Sequence, residues 1–253
     1  MSLFQESCIS DLHTLMRQQV EYYTQIALTG QYDRAYARIG RYDRGEQANA
    51  QWRQELTLVE HYLAAFAPRG DVLELACGNG RWTGQIARNA RTVTALDASP
   101  AMLQQNRQRV NDSRVSYILA DLFTWEPGRR FDCIIFCLWL SHVPPQWFET
   151  FWQRIAAWLL PGGRVFFMDS LYDPERTALD EDLSGREATT LVRKLDNGQT
   201  CRILKVFYDP ADLQQALLRL HWQAKLVTTG RYFYCGEASR VNPAVDRLEE
   251  TKQ

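Results

Sequence analysis

The chain has 253 residues, of which 45% are hydrophobic and 23% charged, with a formal net charge of -1. That length holds one large α/β domain, with or without an appended lid. The composition is unlike that of a disordered or collagenous chain, and no strong charge bias points to nucleic acid.

The opening MSLFQESCISDLHTLMRQQ lacks a basic start followed by an unbroken apolar run, so neither a signal peptide nor a membrane anchor is read there. The longest apolar run, Cys133 to Leu140, is far too short for a bilayer span, and a cytoplasmic protein is the expectation. Residues 1–68 show no strand pattern. EYYTQIALTGQYDRAYARIGRYDRG carries five tyrosines among arginines and predicts a helical lid; ANAQWRQELTLVEHYLAAF predicts an amphipathic helix that leads into the first strand.

From Val72 onward short apolar runs alternate with amphipathic stretches, the signature of a parallel sheet with crossover helices. Strands are expected at 71–75, 92–96, 115–119, 132–138 and 164–169. Ser99-Pro100 places a capping hydroxyl before a proline at the first helical position, and Met102, Leu103, Asn106 and Val110 follow at helical spacing. PPQWFETFWQRIAAWLLPGG puts Phe148, Phe151, Trp152, Ile155 and Leu159 on one face and stops at Pro161-Gly162-Gly163. Residues 171–200 are polar and weakly periodic, which suggests an insertion over one end of the sheet. TCRILKVFY then reads as a strand, Asp209-Pro210 caps a helix, and QAKLVTTG with RYFYCGEA closes the domain, 69–240, as an antiparallel pair. Residues 241–253 read as a tail. The six cysteines, Cys8, Cys77, Cys133, Cys137, Cys201 and Cys235, form no CxxC pair and have no histidine at ligand spacing, so free thiols and no metal are expected.

The stretch VLELACGNG, residues 72–80, ends a strand at a glycine turn, where backbone N–H groups and a helix dipole face a ligand without an intervening Cβ. A dinucleotide fingerprint needs small residues at positions 76, 78 and 81, but position 81 is Arg81, followed by Trp82; the Gly-Lys-Ser/Thr ending of a phosphate loop is absent. What remains is E-x-A-x-G-x-G. In this form the sequence resembles the class I S-adenosylmethionine-dependent methyltransferases. YILADLF, IIFCLWLSHVPP and LLPGGRVFF stand in the family's order, and the landmarks together cover about residues 70–170.

The resemblance implies a Rossmann-like, doubly wound, seven-stranded and mostly parallel sheet with an antiparallel last strand. It implies S-adenosylmethionine as cofactor, bound by Glu74, Ala76, Gly78 and Gly80 around the turn and by Asp97, Ala98 and Met102 after the second strand. Asp121 and Leu122 would meet the adenine, and Cys137 and Leu138 complete the set. Asp97 lies about 20 residues past the loop, where a carboxylate accepts both ribose hydroxyls; capping the next helix is its competing role. In similar enzymes an arginine before the first strand meets the donor carboxylate and a lid tyrosine covers the methionine part. Arg53 and Tyr32 stand nearest those places, with Arg41, Tyr42 and Trp52 as rivals.

His142 follows the fourth strand at the carboxyl edge of the sheet and is the candidate catalytic base for a hydroxyl or ammonium acceptor. Contact with donor or substrate, or capping the turn at Pro144-Pro145, are its other readings. Leu138, Trp139, Asp169, Ser170, the lid and residues 171–200 would build a pocket for a small organic acceptor, with methylation on oxygen or nitrogen. The place of the Asn-Pro-Pro-Tyr signature of base and protein-amine methylators reads CLWL, and neither nucleic acid nor membrane is an expected partner. An NAD(P)-type oxidoreductase, weakened by Arg81, and a non-catalytic S-adenosylmethionine-binding protein stay open. A homodimer that exchanges the N-terminal segment is compatible with the sequence.

Overall fold

The computed structural model describes residues 3–241, with side chains from residue 11 onward. Of the expected tail, only Val241 falls within the described residues. Three helices come first: α1 (Leu3–Leu28), α2 (Gln31–Ala37) and α3 (Glu46–Phe66). Then β1 (Asp71–Leu75), α4 (Thr83–Ala87), β2 (Thr92–Asp97), α5 (Pro100–Val110), β3 (Val115–Leu119), β4 (Phe131–Cys137), α6 (Phe148–Trp158) and β5 (Leu159–Ser170) form the alternating body. A hairpin of β6 (Thr190–Lys194) and β7 (Thr200–Leu204) precedes α7 (Pro210–Arg219), β8 (Trp222–Thr228) and β9 (Phe233–Arg240).

The main sheet has seven strands in the order β3-β2-β1-β4-β5-β9-β8, and β9 is antiparallel to both its neighbours. Strand order reverses beside β1, so the carboxyl ends of β1, β2 and β4 open the crevice in which such sheets bind ligands. Successive residues of each strand feed opposite cores. Val72, Ile135 and Phe166 join Trp52, Val59 and Leu63 of α3 and Ile86 of α4. Leu73, Ile134 and Phe167 join Phe151, Trp152 and Ile155 of α6 and Leu213 and Leu217 of α7. Each such buried side chain stabilises the fold by roughly 1.5–3 kcal/mol, so these two layers hold the strand ends that frame the crevice.

Two boundaries differ from expectation. Helix α6 ends at Trp158, and Leu159 already lies in β5, where the pairing with β4 shifts register between Phe131 and Cys133. TCRILKVFY does not enter the main sheet: its first five residues pair with β6 in a separate two-stranded sheet. The sequence pattern hides β6 because only Leu191 of its five residues is buried. Leu191 and Ile203 pack with Tyr22 and Ile26 of α1 and Met102 of α5. The hairpin therefore has α1, not the main sheet, as its apolar partner.

The two glycines of the loop after β1 do different work. Gly78 (φ 53°) and Gly80 (φ 85°) are both in the left-handed region. A Cβ on Gly80 would fall 2.6 Å from Asn106 Oδ1 and 3.0 Å from its Cα, whereas one on Gly78 would meet only the Tyr32 hydroxyl at 3.8 Å. Gly80 lets α5 approach the loop; Gly78 keeps space open. Glu74, expected at the donor, is instead an interior group, 2% exposed, and burial raises its carboxyl to about 8.

Gly80→Ala is expected to lose about 2–4 kcal/mol from backbone strain plus overpacking, and Gly78→Ala about 1 kcal/mol from strain alone; urea unfolding of the pair, with equal losses, would contradict this division. For Glu74, the folded protein keeps a proton that the unfolded chain releases above about 4.5. Its contribution is therefore full below that pH and is lost as pH rises toward 8. Glu74→Gln should gain about 2–3 kcal/mol on the wild type between pH 5 and 8, and parallel stability profiles would refute the assignment.

Candidate functional site

A cavity of about 940 Å³ lies at the carboxyl edge of the sheet under α1, and Tyr32, Ala76, Gly78, Asp97, Ala98, Met102, Asp121, Leu122, Cys137, Leu138 and His142 all line it. Their convergence follows from topology, since each sits at or just past the end of a strand or on the lid. Asp97 ends β2 and bridges two loops: Oδ2 accepts from the Gly78 N–H at 2.9 Å and Oδ1 from the Ser99 N–H at 2.8 Å. The helix cap belongs to Ser99, whose hydroxyl accepts from Met102 N. Burial pushes the Asp97 carboxyl up, and those N–H groups act against the rise. Asp121 is exposed at the end of the cavity and accepts from Phe123 N at 2.9 Å through one oxygen. Ala76 (φ 50°) and Leu138 (φ 56°) are left-handed without being glycine, at the ends of β1 and β4. Such strain costs about 1–2 kcal/mol at each site and gathers where a binding surface over-determines the backbone.

A second chamber of about 140 Å³ adjoins it and shares the walls Tyr23, Tyr32, Leu138 and His142. Its remaining walls include Tyr36, Trp52, Arg176, Glu181, Arg193 and Lys205. His142 is buried between the two. Its Nδ1 lies 2.6 Å from the Leu204 carbonyl, which only accepts, so Nδ1 carries the proton and Nε2 accepts from the Tyr23 hydroxyl at 2.9 Å. Burial, then the Lys205 ammonium, lower His142 to about 3. Both ring nitrogens are engaged in this geometry, and burial lowers the basicity of the ring.

Lys205 is buried and donates to Ser141 Oγ at 2.7 Å, Asp169 Oδ1 at 3.1 Å and Ser170 Oγ at 3.2 Å. Burial pushes the lysine down, to about 8, against the pull of Asp169. Burial also acts to raise Asp169, but Lys205 and the Ser141 N–H hold the carboxyl below its ordinary range. Asp169 and Ser170, expected as pocket walls, line neither cavity; they anchor the lysine beneath it. Arg53 is a further correction. It is exposed on the outer side of α3 and lines neither cavity, because the inner face of that helix is taken by the core residues Trp52, Leu56 and Val59. Gly80 and Glu74 likewise line neither. Tyr32 lines the larger cavity beside Gly78.

The sequence reading missed Tyr23, Arg176, Arg193 and Lys205. The paired tyrosines of EYYT were a usable signal for the first. The other three come from the insertion and its hairpin, whose position over the site no local pattern reports. Among the described residues no group of three or more His, Cys, Asp or Glu could hold a metal, and no helix is long and apolar enough to cross a membrane.

Residues 72–163 match the family model of a methyltransferase domain. The structure of DhpI in a SAM-HEP complex is similar with a TM-score of 0.72 and 32% identity, covering 90% of this chain and 98% of that one. Trans-aconitate 2-methyltransferase of Methylobacterium radiotolerans is 29% identical over 187 residues, 70% of each chain. Phosphoethanolamine N-methyltransferase 1 of Triticum aestivum is 33% identical over 107 residues, 40% of this chain, which spans only 21% of that protein's length. With the glycine turn, the acid-tipped strands and the sheet order in place, the chain belongs to the S-adenosylmethionine-dependent methyltransferases of class I fold.

Proposed function

We propose that this methyltransferase acts on a small organic molecule, at oxygen or nitrogen. The observation that carries the reading is the pair of adjoining cavities: a large one running past Asp97 and Asp121, and a chamber of about 140 Å³ behind Tyr23, Tyr32, Leu138 and His142. At roughly 10–15 Å³ of such volume per water, the chamber has room for on the order of ten water-sized groups. That suits a small metabolite and is too little for a polymer side of any bulk. Phosphoethanolamine and trans-aconitate, in the names of the two curated relatives, are molecules of that order.

The residues present fit the donor. Gly78 leaves the loop side open, Asp97 offers its carboxylate to the ribose hydroxyls, and Asp121 with Leu122 borders the adenine end. Tyr32 roofs the methionine end from α2. S-adenosylmethionine supplies a methyl group on a sulfonium, and displacement there is in-line, so the work left to the protein is alignment and exclusion of water. Helix α1 performs the exclusion: Met16, Val20 and Tyr23 close the cavity from above. His142 serves as a positioning residue that holds the Tyr23 hydroxyl at the boundary between donor and acceptor.

Asp97→Ala is expected to weaken S-adenosylhomocysteine binding about 5- to 150-fold, equivalent to 1–3 kcal/mol for lost hydrogen bonds to a charged group. Calorimetric titration reads this directly. An unchanged dissociation constant in a folded variant would overturn the donor assignment.

A further inference from the structure

The acceptor chamber is cationic beyond what its own ion pairs need. Arg176, Arg193 and Lys205 line it against a single lining carboxylate, Glu181. Two of the three cations are already matched. Arg193 Nη1 donates to Glu181 Oε2 at 2.9 Å, and the three Lys205 protons go to Ser141, Asp169 and Ser170. Glu181 is further committed to Arg41 at 3.1 Å and to the Lys194 N–H at 2.7 Å. Arg176 forms no side-chain hydrogen bond and no ion pair among the described residues, and its Nη1 is buried without a partner. The buried Tyr36 hydroxyl is also without a bond in hydrogen-bonding geometry. Burial, together with Arg193 and Arg38, lowers the Arg176 guanidinium to about 10, although Asp169 and Tyr36 act the other way. The guanidinium is partly buried over the Trp52 and Phe233 rings, at 5.7 and 5.4 Å, and an incoming anion would supply the partner its buried Nη1 lacks. Its planar fork is suited to carboxylate and phosphoryl oxygens, while a protonated amine would meet net repulsion.

The chamber's size decides what the anion does there. With about 140 Å³, and with its rim formed by the same four residues that wall the donor cavity, there is little room to separate an anionic handle from the reacting atom. Nor is a free base in place, since the Glu181 carboxylate is taken by Arg41, Arg193 and the Lys194 N–H. Nε2 of His142 is occupied by Tyr23, and burial pushes the Tyr23 hydroxyl well above its ordinary range. An acceptor that carries no proton removes the need for one.

We propose that the acceptor is a small oxyanion, a carboxylate or a phosphonate, held by the Arg176 guanidinium and methylated on an anionic oxygen. This inference rests on the methyl-transfer reading above. An oxygen lone pair forms the new O–C bond as the C–S bond breaks, the bonding pair stays on sulfur as a neutral thioether, and no proton moves. The product is a methyl ester with one negative charge fewer than the acceptor, which weakens its hold on Arg176 and favours release.

Four probes of similar size test it: propionate, ethylphosphonate, propylamine and 1-propanol. Each is titrated calorimetrically into protein saturated with S-adenosylhomocysteine, and each is incubated with S-adenosylmethionine to follow thioether formation. Expected is binding of at least one oxyanion, which identifies the headgroup, with its affinity falling tenfold or more in Arg176→Met while S-adenosylhomocysteine binding changes less than twofold. Should Arg176→Met lose S-adenosylhomocysteine binding, Arg176→Lys is compared instead, with a three- to tenfold loss expected. Binding of neither oxyanion, preference for propylamine or propanol, or indifference to both Arg176 substitutions overturns the proposal. Failure of the wild type to bind S-adenosylhomocysteine would sink the methyl-transfer reading itself, a separate outcome.

Discussion

A buried ammonium ties together the segments around the smaller chamber. Lys205 follows β7, yet its three protons are spent on Ser141, Asp169 and Ser170, which belong to the loop after β4 and to the end of β5. The Val206 N–H donates to the Ser141 carbonyl at 2.8 Å, and the Leu204 carbonyl receives the His142 proton. One residue earlier, the Leu204 N–H donates to Gln19 Oε1 of α1 at 3.0 Å. Four segments distant in sequence are thereby pinned at one point. A charge pair this deep is stabilising only when every donor and lone pair is answered, and here the lysine's donors all are. The order imposed on His142 and Tyr23 follows from that point.

The donor and acceptor sides are built on different physics. On the donor side, strand ends and a glycine turn present backbone groups in a geometry set by the sheet, and Asp97 is placed by two backbone N–H groups. On the acceptor side, side chains from α1, α2 and the insertion are gathered by tertiary packing and by charge. Such a division lets one donor site be kept while the acceptor changes through lid and insertion alone. His142 belongs to this second side, its Nε2 paired with the Tyr23 hydroxyl.

The same division explains what could be read from the sequence. VLELACGNG, the acid ending β2 and the LPGG turn are local patterns with fixed spacing, so the mostly parallel seven-stranded sheet with its antiparallel end was legible in the sequence. Arg53 was misplaced because the lead-in helix reveals its apolar face but not which polar residues sit near a ligand. Glu74 was read as a ligand contact, yet its neighbours across the sheet bury it. Strand β6 was missed because its only buried residue is Leu191. Lys205 and Arg176 are unreadable for a deeper reason: the lysine's hydrogen bonds span 35 to 64 residues, and the arginine meets Trp52 of α3, which no periodicity encodes.

The claim that one buried charge cluster ties together the segments around the smaller chamber is tested most directly by a double-mutant cycle of Lys205→Met and Asp169→Asn, read by urea unfolding. Each single change leaves a buried polar group without its partner, whereas the double change removes both charges together. A coupling of at least about 2 kcal/mol is expected, with the double variant less destabilised than the two single losses added. Losses that simply add would contradict the account.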